Sequence, residues 1–173
     1  MSISLVITAI GPDKPGLVEA IADAGRGCGA NWAGSRMANL AGQFAGIVHF
    51  EVEEGRLPAC EEALRALESQ GLRVTIARGH AGAPKRPARV VSIDLVGHDR
   101  PGIVHELAES LASRGVSIEE LHTQVASAAM SGGSLFKMRA RLALPASLSD
   151  EDLKSALESL ANEMMVELSQ GER

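Results

Sequence analysis

The sequence predicts an α+β protein of two successive halves, each with the element order β-α-β-β-α-β. One observation is an octapeptide that occurs twice. Gly11-Pro12-Asp13-Lys14-Pro15-Gly16-Leu17-Val18 returns as Gly97-His98-Asp99-Arg100-Pro101-Gly102-Ile103-Val104, 86 residues later in a chain of 173. Another is that each copy follows an apolar strand-like run and opens a helical pattern, after which the same series of patterns recurs. Between the halves lies a stretch of Gly, Pro and basic residues that cannot build a core. The expected domains are therefore residues 1–78 and 88–173, joined by a linker over 79–87.

The first half begins with a strand over residues 2–9, read from Ile3, Leu5, Val6 and Ile7. A helix runs from Pro15 to about Cys28, with Leu17, Val18, Ile21, Ala22 and Cys28 on one stripe and Gly29 as its stop. Residues 30–40 are strand-compatible but weakly patterned, and Ala41-Gly42-Gln43 reads as a turn. Phe44, Gly46, Val48, Phe50 and Val52 then alternate with more polar positions, a strand with one apolar face. A second helix spans about Arg56 to Gln70, its apolar side formed by Leu57, Cys60, Ala63, Leu64 and Leu67. Gly71 ends it, and Leu72 to Ile76 is the last strand.

The second half repeats the order. A strand covers about Arg89 to Val96, and a helix runs from Pro101 to about Arg114, stopped by Gly115. Strand-like residues follow from about Val116 to Val125, then a looser turn from Ser127 to Ser134. Phe136, Met138, Ala140 and Leu142 alternate with Lys137, Arg139 and Arg141. Ser149 with Asp152 is a capping-box-like start for a helix carrying Leu153, Ala156, Leu157, Leu160 and Ala161. Met165 to Leu168 supplies the final strand. This is the ferredoxin-like order, a four-stranded antiparallel sheet with both helices on one face.

A net charge of −5 and an isoelectric point near 5.5 disfavour direct grip on a phosphate backbone, so no nucleic-acid partner is expected. No apolar run reaches membrane-spanning length and no signal-peptide pattern opens the chain, which reads as cytoplasmic. Cys28 and Cys60 lie at helix positions among apolar neighbours, without clustered ligands. They are expected as buried free thiols in a reducing compartment. Halves this small bury only ~60–65% of their unfolded surface, so a homodimer is expected.

Neither catalysis nor metal binding finds support. The five histidines are dispersed, and no hydrolase elbow, zinc-protease, phosphate-loop or dinucleotide signature occurs. His105, Glu106 and Glu109 read as a solvated helix face. Lys137, Arg139 and Arg141 read as an exposed sheet surface or an interface with intervening acids, and Trp32 and Met37 as packing or interface residues. No catalytic residue, metal or cofactor is expected.

The repeated turn carries the chemistry. Proline at a first helical position loses no hydrogen bond, and an Asp ahead of it can accept from free helix amides. Glycine leaves room for a ligand to approach the backbone, where exposed N–H groups and the helix dipole favour a carboxylate. With this turn placed twice in a βαββαβ order, the chain resembles the ACT domain family, small regulatory modules that bind amino acids. Gly29-Ala30-Asn31, opening the second strand, adds to the likeness. Residues 5–16 and 34–44 look more specifically like the glycine cleavage system transcriptional repressor group, which has two such domains and no separate DNA-binding domain.

That resemblance implies a ligand site residue by residue. The loop between first strand and first helix supplies Asp13, Lys14, Pro15, Gly16 and Leu17 in one half and Asp99, Arg100, Pro101, Gly102 and Ile103 in the other. In the family the effector lies between this loop and a neighbouring domain. Asn31 would hold the ligand's polar groups. Its counterpart Ser117 is shorter, so the first half is the better-preserved site. The resemblance implies a small amino acid as ligand, glycine or serine favoured, and a DNA-binding transcription regulator as protein partner. Two other readings stay open: an allosteric subunit of an amino-acid metabolic enzyme, and a ligand-free dimerisation module.

Overall fold

The computed structural model describes residues 1–79, 89–127, 133–160 and 165–170. The chain forms two compact units, Met1–Ala83 and Pro84–Arg173. The expected linker lies outside the described residues apart from Gly79, as do Ala161 and most of the turn expected between Ser127 and Ser134.

The first unit contains β1 (Ser2–Pro12), α1 (Leu17–Gly27), β2 (Asn31–Leu40), β3 (Gln43–Glu53), α2 (Leu57–Arg65) and β4 (Arg73–Arg78). The second contains β5 (Arg89–His98), α3 (Ile103–Ala112), β6 (Ser117–Ser127), β7 (Ser134–Leu144), α4 (Asp150–Glu158) and β8 (Met165–Gln170). The sheets are antiparallel, with strand orders β2-β3-β1-β4 and β6-β7-β5-β8. This is the ferredoxin-like arrangement expected for both halves.

Each unit has its own core. Leu5, Ile7 and Ala9 of β1 and Val48, Phe50 and Val52 of β3 face Leu17 and Ile21 of α1 and Leu57, Cys60 and Leu64 of α2. Period-2 strands thus meet period-3.6 helices through one apolar face each. Gly25 lets α1 lie against Phe50, because a Cβ there would come within 2.5 Å of the ring. Trp32 meets Phe50 edge-on with ring centroids 5.3 Å apart, and Met37 packs against the same cluster, as expected. In the second unit Ile93, Leu95, Met138 and Leu142 pack against Leu107, Leu111, Leu153 and Leu157. Ser149 caps α4 as the sequence suggested, its hydroxyl accepting from the Asp152 backbone N–H at 3.0 Å.

Three features depart from the sequence reading. The second helix of the first half is α-helical only to Arg65 and tightens into a 3₁₀ turn over Ala66–Gln70. Each second strand carries a β-bulge, between Trp32 and Gly34 in β2 and between Ile118 and Glu120 in β6. Cys28 and Cys60 are buried but not free: they are bonded to each other, with Cα atoms 5.1 Å apart. The end of α1 crosses α2 at disulfide range, and sequence spacing alone does not reveal that approach.

Among the described residues, no helix is long and apolar enough to cross a membrane.

Candidate ligand-binding turns

In both units the repeated turn is pinned at its start by the neighbouring hairpin. The Asp13 N–H donates to the Gly42 carbonyl at 3.0 Å, and the Asp99 N–H to that of Ser134 at 2.9 Å. The chain then swings into the helix through a glycine in the left-handed region. Gly16 has φ 91° and Gly102 φ 88°, and each is the residue capping its helix. This corrects the expected helix start. Pro15 and Pro101 precede the cap, and the first helical residues are Leu17 and Ile103. Asp13 and Asp99 lie three residues ahead of the cap, and no side chain caps either helix. The repeated glycine is therefore explained first by backbone conformation, since other residues enter this region at a cost of ~1–2 kcal/mol.

The other expected site residues divide by exposure. Leu17 and Ile103 point into their cores, 3% and 4% exposed, so only their backbones face a ligand. Asp13, Pro15, Pro101 and Asn31 are exposed. Asn31 opens β2 opposite Glu51, and Ser117 opens β6 opposite Ala143.

The two cations of the motif are already engaged. Lys14 Nζ donates to the Gln70 carbonyl at 2.8 Å, at the end of the 3₁₀ turn that follows α2. Arg100 donates to the Leu160 carbonyl at 3.2 Å, just past α4. A cation at a helix C-terminal end satisfies an orphan carbonyl and the local dipole. Arg100 also forks onto the Glu106 carboxylate, Nη1 to Oε1 at 2.7 Å and Nη2 to Oε2 closer still. The hydrogen bonds, reinforced by charge attraction, raise the Arg100 pKa and hold Glu106 below its ordinary range against a smaller desolvation effect.

At the position matching Glu106 the first unit has Ala20. There the structure opens a cleft of about 480 Å³ between α1 and α2 with its trailing 3₁₀ turn. Ala20, Ala24 and Ala63 keep the walls apart, Glu19 and Ser69 stand along it, and Gly16 lies at its edge. Of the expected site residues only Gly16 lines this cleft; Asp13, Lys14, Pro15, Leu17 and Asn31 do not. Sequence reading missed the cleft, although the signal was present. Between the two copies Lys becomes Arg at 14/100 while Ala becomes Glu at 20/106, a paired change that creates an ion pair in one unit only.

Two of the basic strand positions, Arg139 and Arg141, are paired as well. Arg139 bonds Asp94 at 2.8 Å and Arg141 bonds Glu119 at 3.0 Å. His105 stands 3.9 Å from Glu109 on an open helix face. Among the described residues no His, Cys, Asp and Glu cluster could hold a metal.

The two sheets and their twin turns define a tandem repeat of one domain type. The chain belongs to the ACT domain family, whose profile matches residues 4–77 and again 89–170. It is similar to the glycine cleavage system transcriptional repressor of Escherichia coli (strain K12), 27% identical over 164 residues, which cover 92% of this chain and 85% of the repressor. An unknown protein from Galdieria sulphuraria has the same architecture, with a TM-score of 0.85 and 28% identity over 99% of both chains. A further solved structure, assigned as a glycine cleavage system transcriptional repressor, shares the fold at a TM-score of 0.72 and 19% identity, again over 99% of both chains.

Proposed function

We propose that this chain is an amino-acid-responsive regulator of the glycine cleavage repressor kind, acting through a DNA-binding protein partner. The observation that carries the reading is the left-handed glycine turn at the head of α1. A Cβ on Gly16 would meet no atom within 4 Å, so the space in front of the turn is open. First-turn N–H groups lack intrahelical acceptors, and the cap residue Gly16 has no side chain to take them. A ligand carboxylate suits that position. In the second unit the Ile103 N–H donates back to the Arg100 carbonyl at 3.3 Å, and Arg100 is held by Glu106. The first turn is thus the better receptor, and similarity to the repressor over most of both chains favours glycine or serine as its ligand. Binding would act by favouring one of two states that differ in affinity for the ligand.

A thermal-shift screen against the twenty amino acids tests this. A ligand at 100 times its Kd adds about 2.7 kcal/mol of stability if it binds only the folded chain. The expected result is a stereospecific rise with a small amino acid, weakened by Asn31→Ala. No rise with any of the twenty overturns the sensor reading. Affinity capture then separates partners: a DNA-binding regulator supports a repressor role, whereas a catalytic protein would make the chain an allosteric subunit.

A further inference from the structure

We propose that the Cys28–Cys60 bond is a reversible thiol–disulfide switch that sets the rigidity of the α1–α2 pair in the first unit. Its first support is position. Cys28 caps the C-terminal end of α1, Cys60 lies in α2, and their Cα atoms are 5.1 Å apart, a separation a disulfide spans without backbone movement. Its second support is that a backbone carbonyl stands beside each sulfur. Cys28 Sγ lies 3.2 Å from the Gly25 carbonyl and Cys60 Sγ 3.5 Å from the Cys28 carbonyl, so each thiol would have an acceptor in place. The third support comes from the second unit, which reaches the same strand order with Arg114 matching Cys28 and with no cysteine at all. The fold does not need the bond, so the bond is free to be a control.

The chemistry balances with two small-molecule thiols. The first attacks Cys28 Sγ, Cys28 being the more accessible residue of the pair at 9% exposure against 0% for Cys60. The S–S bond breaks, Cys60 leaves as a thiolate and takes up a proton, and a mixed disulfide forms on Cys28. The second thiol attacks the small-molecule sulfur, releasing Cys28 as a thiol together with a small disulfide. Two electrons pass to the protein, and a small disulfide such as oxidised glutathione returns the bond. The bond fastens one end of the helix pair while the exposed Lys14 contact with Gln70 fastens the other, and the cleft lies along that pair. Reduction therefore releases the end of the pair that is held covalently.

The test equilibrates the full chain with graded ratios of reduced and oxidised glutathione. Thiols are trapped by alkylation and counted by mass, and backbone hydrogen exchange is followed in parallel. The two thiols should appear and disappear together in the native protein. Amides at the end of α1 and in α2 should exchange at least tenfold faster when reduced, while α3 and α4 stay unchanged. The midpoint of thermal unfolding of the first unit should fall by roughly 10–20 °C on reduction. The double variant Cys28→Ala/Cys60→Ala should show fast exchange at every ratio. The proposal is overturned if the bond opens only after denaturation, if oxidised glutathione fails to restore it, or if exchange is the same in both states.

Discussion

Gly16 and Gly102 solve the same problem by the same means, and each is irreplaceable for a backbone reason. At φ near +90° a side chain is strained even where space is free, as it is at Gly16. Gly16→Ala should therefore cost about 1–2 kcal/mol in urea unfolding, and Gly102→Ala a similar amount. Gly25→Ala fails differently, by driving a methyl group into the Phe50 ring, with an expected loss of about 1–3 kcal/mol. The Arg100–Glu106 pair predicts an acid dependence. Glu106 is held below its ordinary value of 4.5, so its contribution is complete above that value and is lost as pH falls through the lowered one. Glu106→Gln should be less stable than wild type at neutral pH, and the gap in urea midpoint should close as pH falls below 4.5. A gap that widens in acid would contradict this sign. The positions of these residues were legible from the repeat. The glycine conformation and the ion pair were not, because both depend on where the chain turns in space.

Among the elements, those with a clean period were readable and those with a broken one were not. Alternation along Phe44 to Val52 and the stripe of Leu17 and Ile21 predicted β3 and α1 because each buries one regular face. The start of α4 was readable from its cap, and Ser149→Ala should lower the stability of the second unit by about 1 kcal/mol, measured by chemical denaturation. The far end of α2 was not readable, since a 3₁₀ turn keeps the same buried leucine, Leu67, at a slightly different rotation. The disulfide was hidden for a related reason. Helical stripes place Cys28 and Cys60 on buried faces without saying which turns of the two helices meet.

At the scale of the whole molecule, two cores of modest aromatic content are built twice on one plan, then differentiated by a covalent bond in one and an ion pair in the other. The shared plan extends to an irregularity, the bulge at the same place in β2 and β6. Trp32 and Met37 both reach the core of the first unit although five positions separate them, an odd number that a regular strand would send to opposite sides. Ile118 and Leu121, three apart, likewise share a side through their partners Leu142 and Ala140. The extra residue is a change of parity written into the chain, and it is why residues 30–40 showed no clean alternation. Removing Ala33 alone would make that count four, leave Trp32 opposite Phe50 and Gly34 opposite His49 in a regular ladder, and keep Met37 inward, so the first unit should still unfold cooperatively in a urea titration. Removing Glu119 would likewise regularise β6, at the loss of its ion pair with Arg141. Each bulge thus lets a second strand carry one residue more than its partner without exchanging the sides that the flanking residues face.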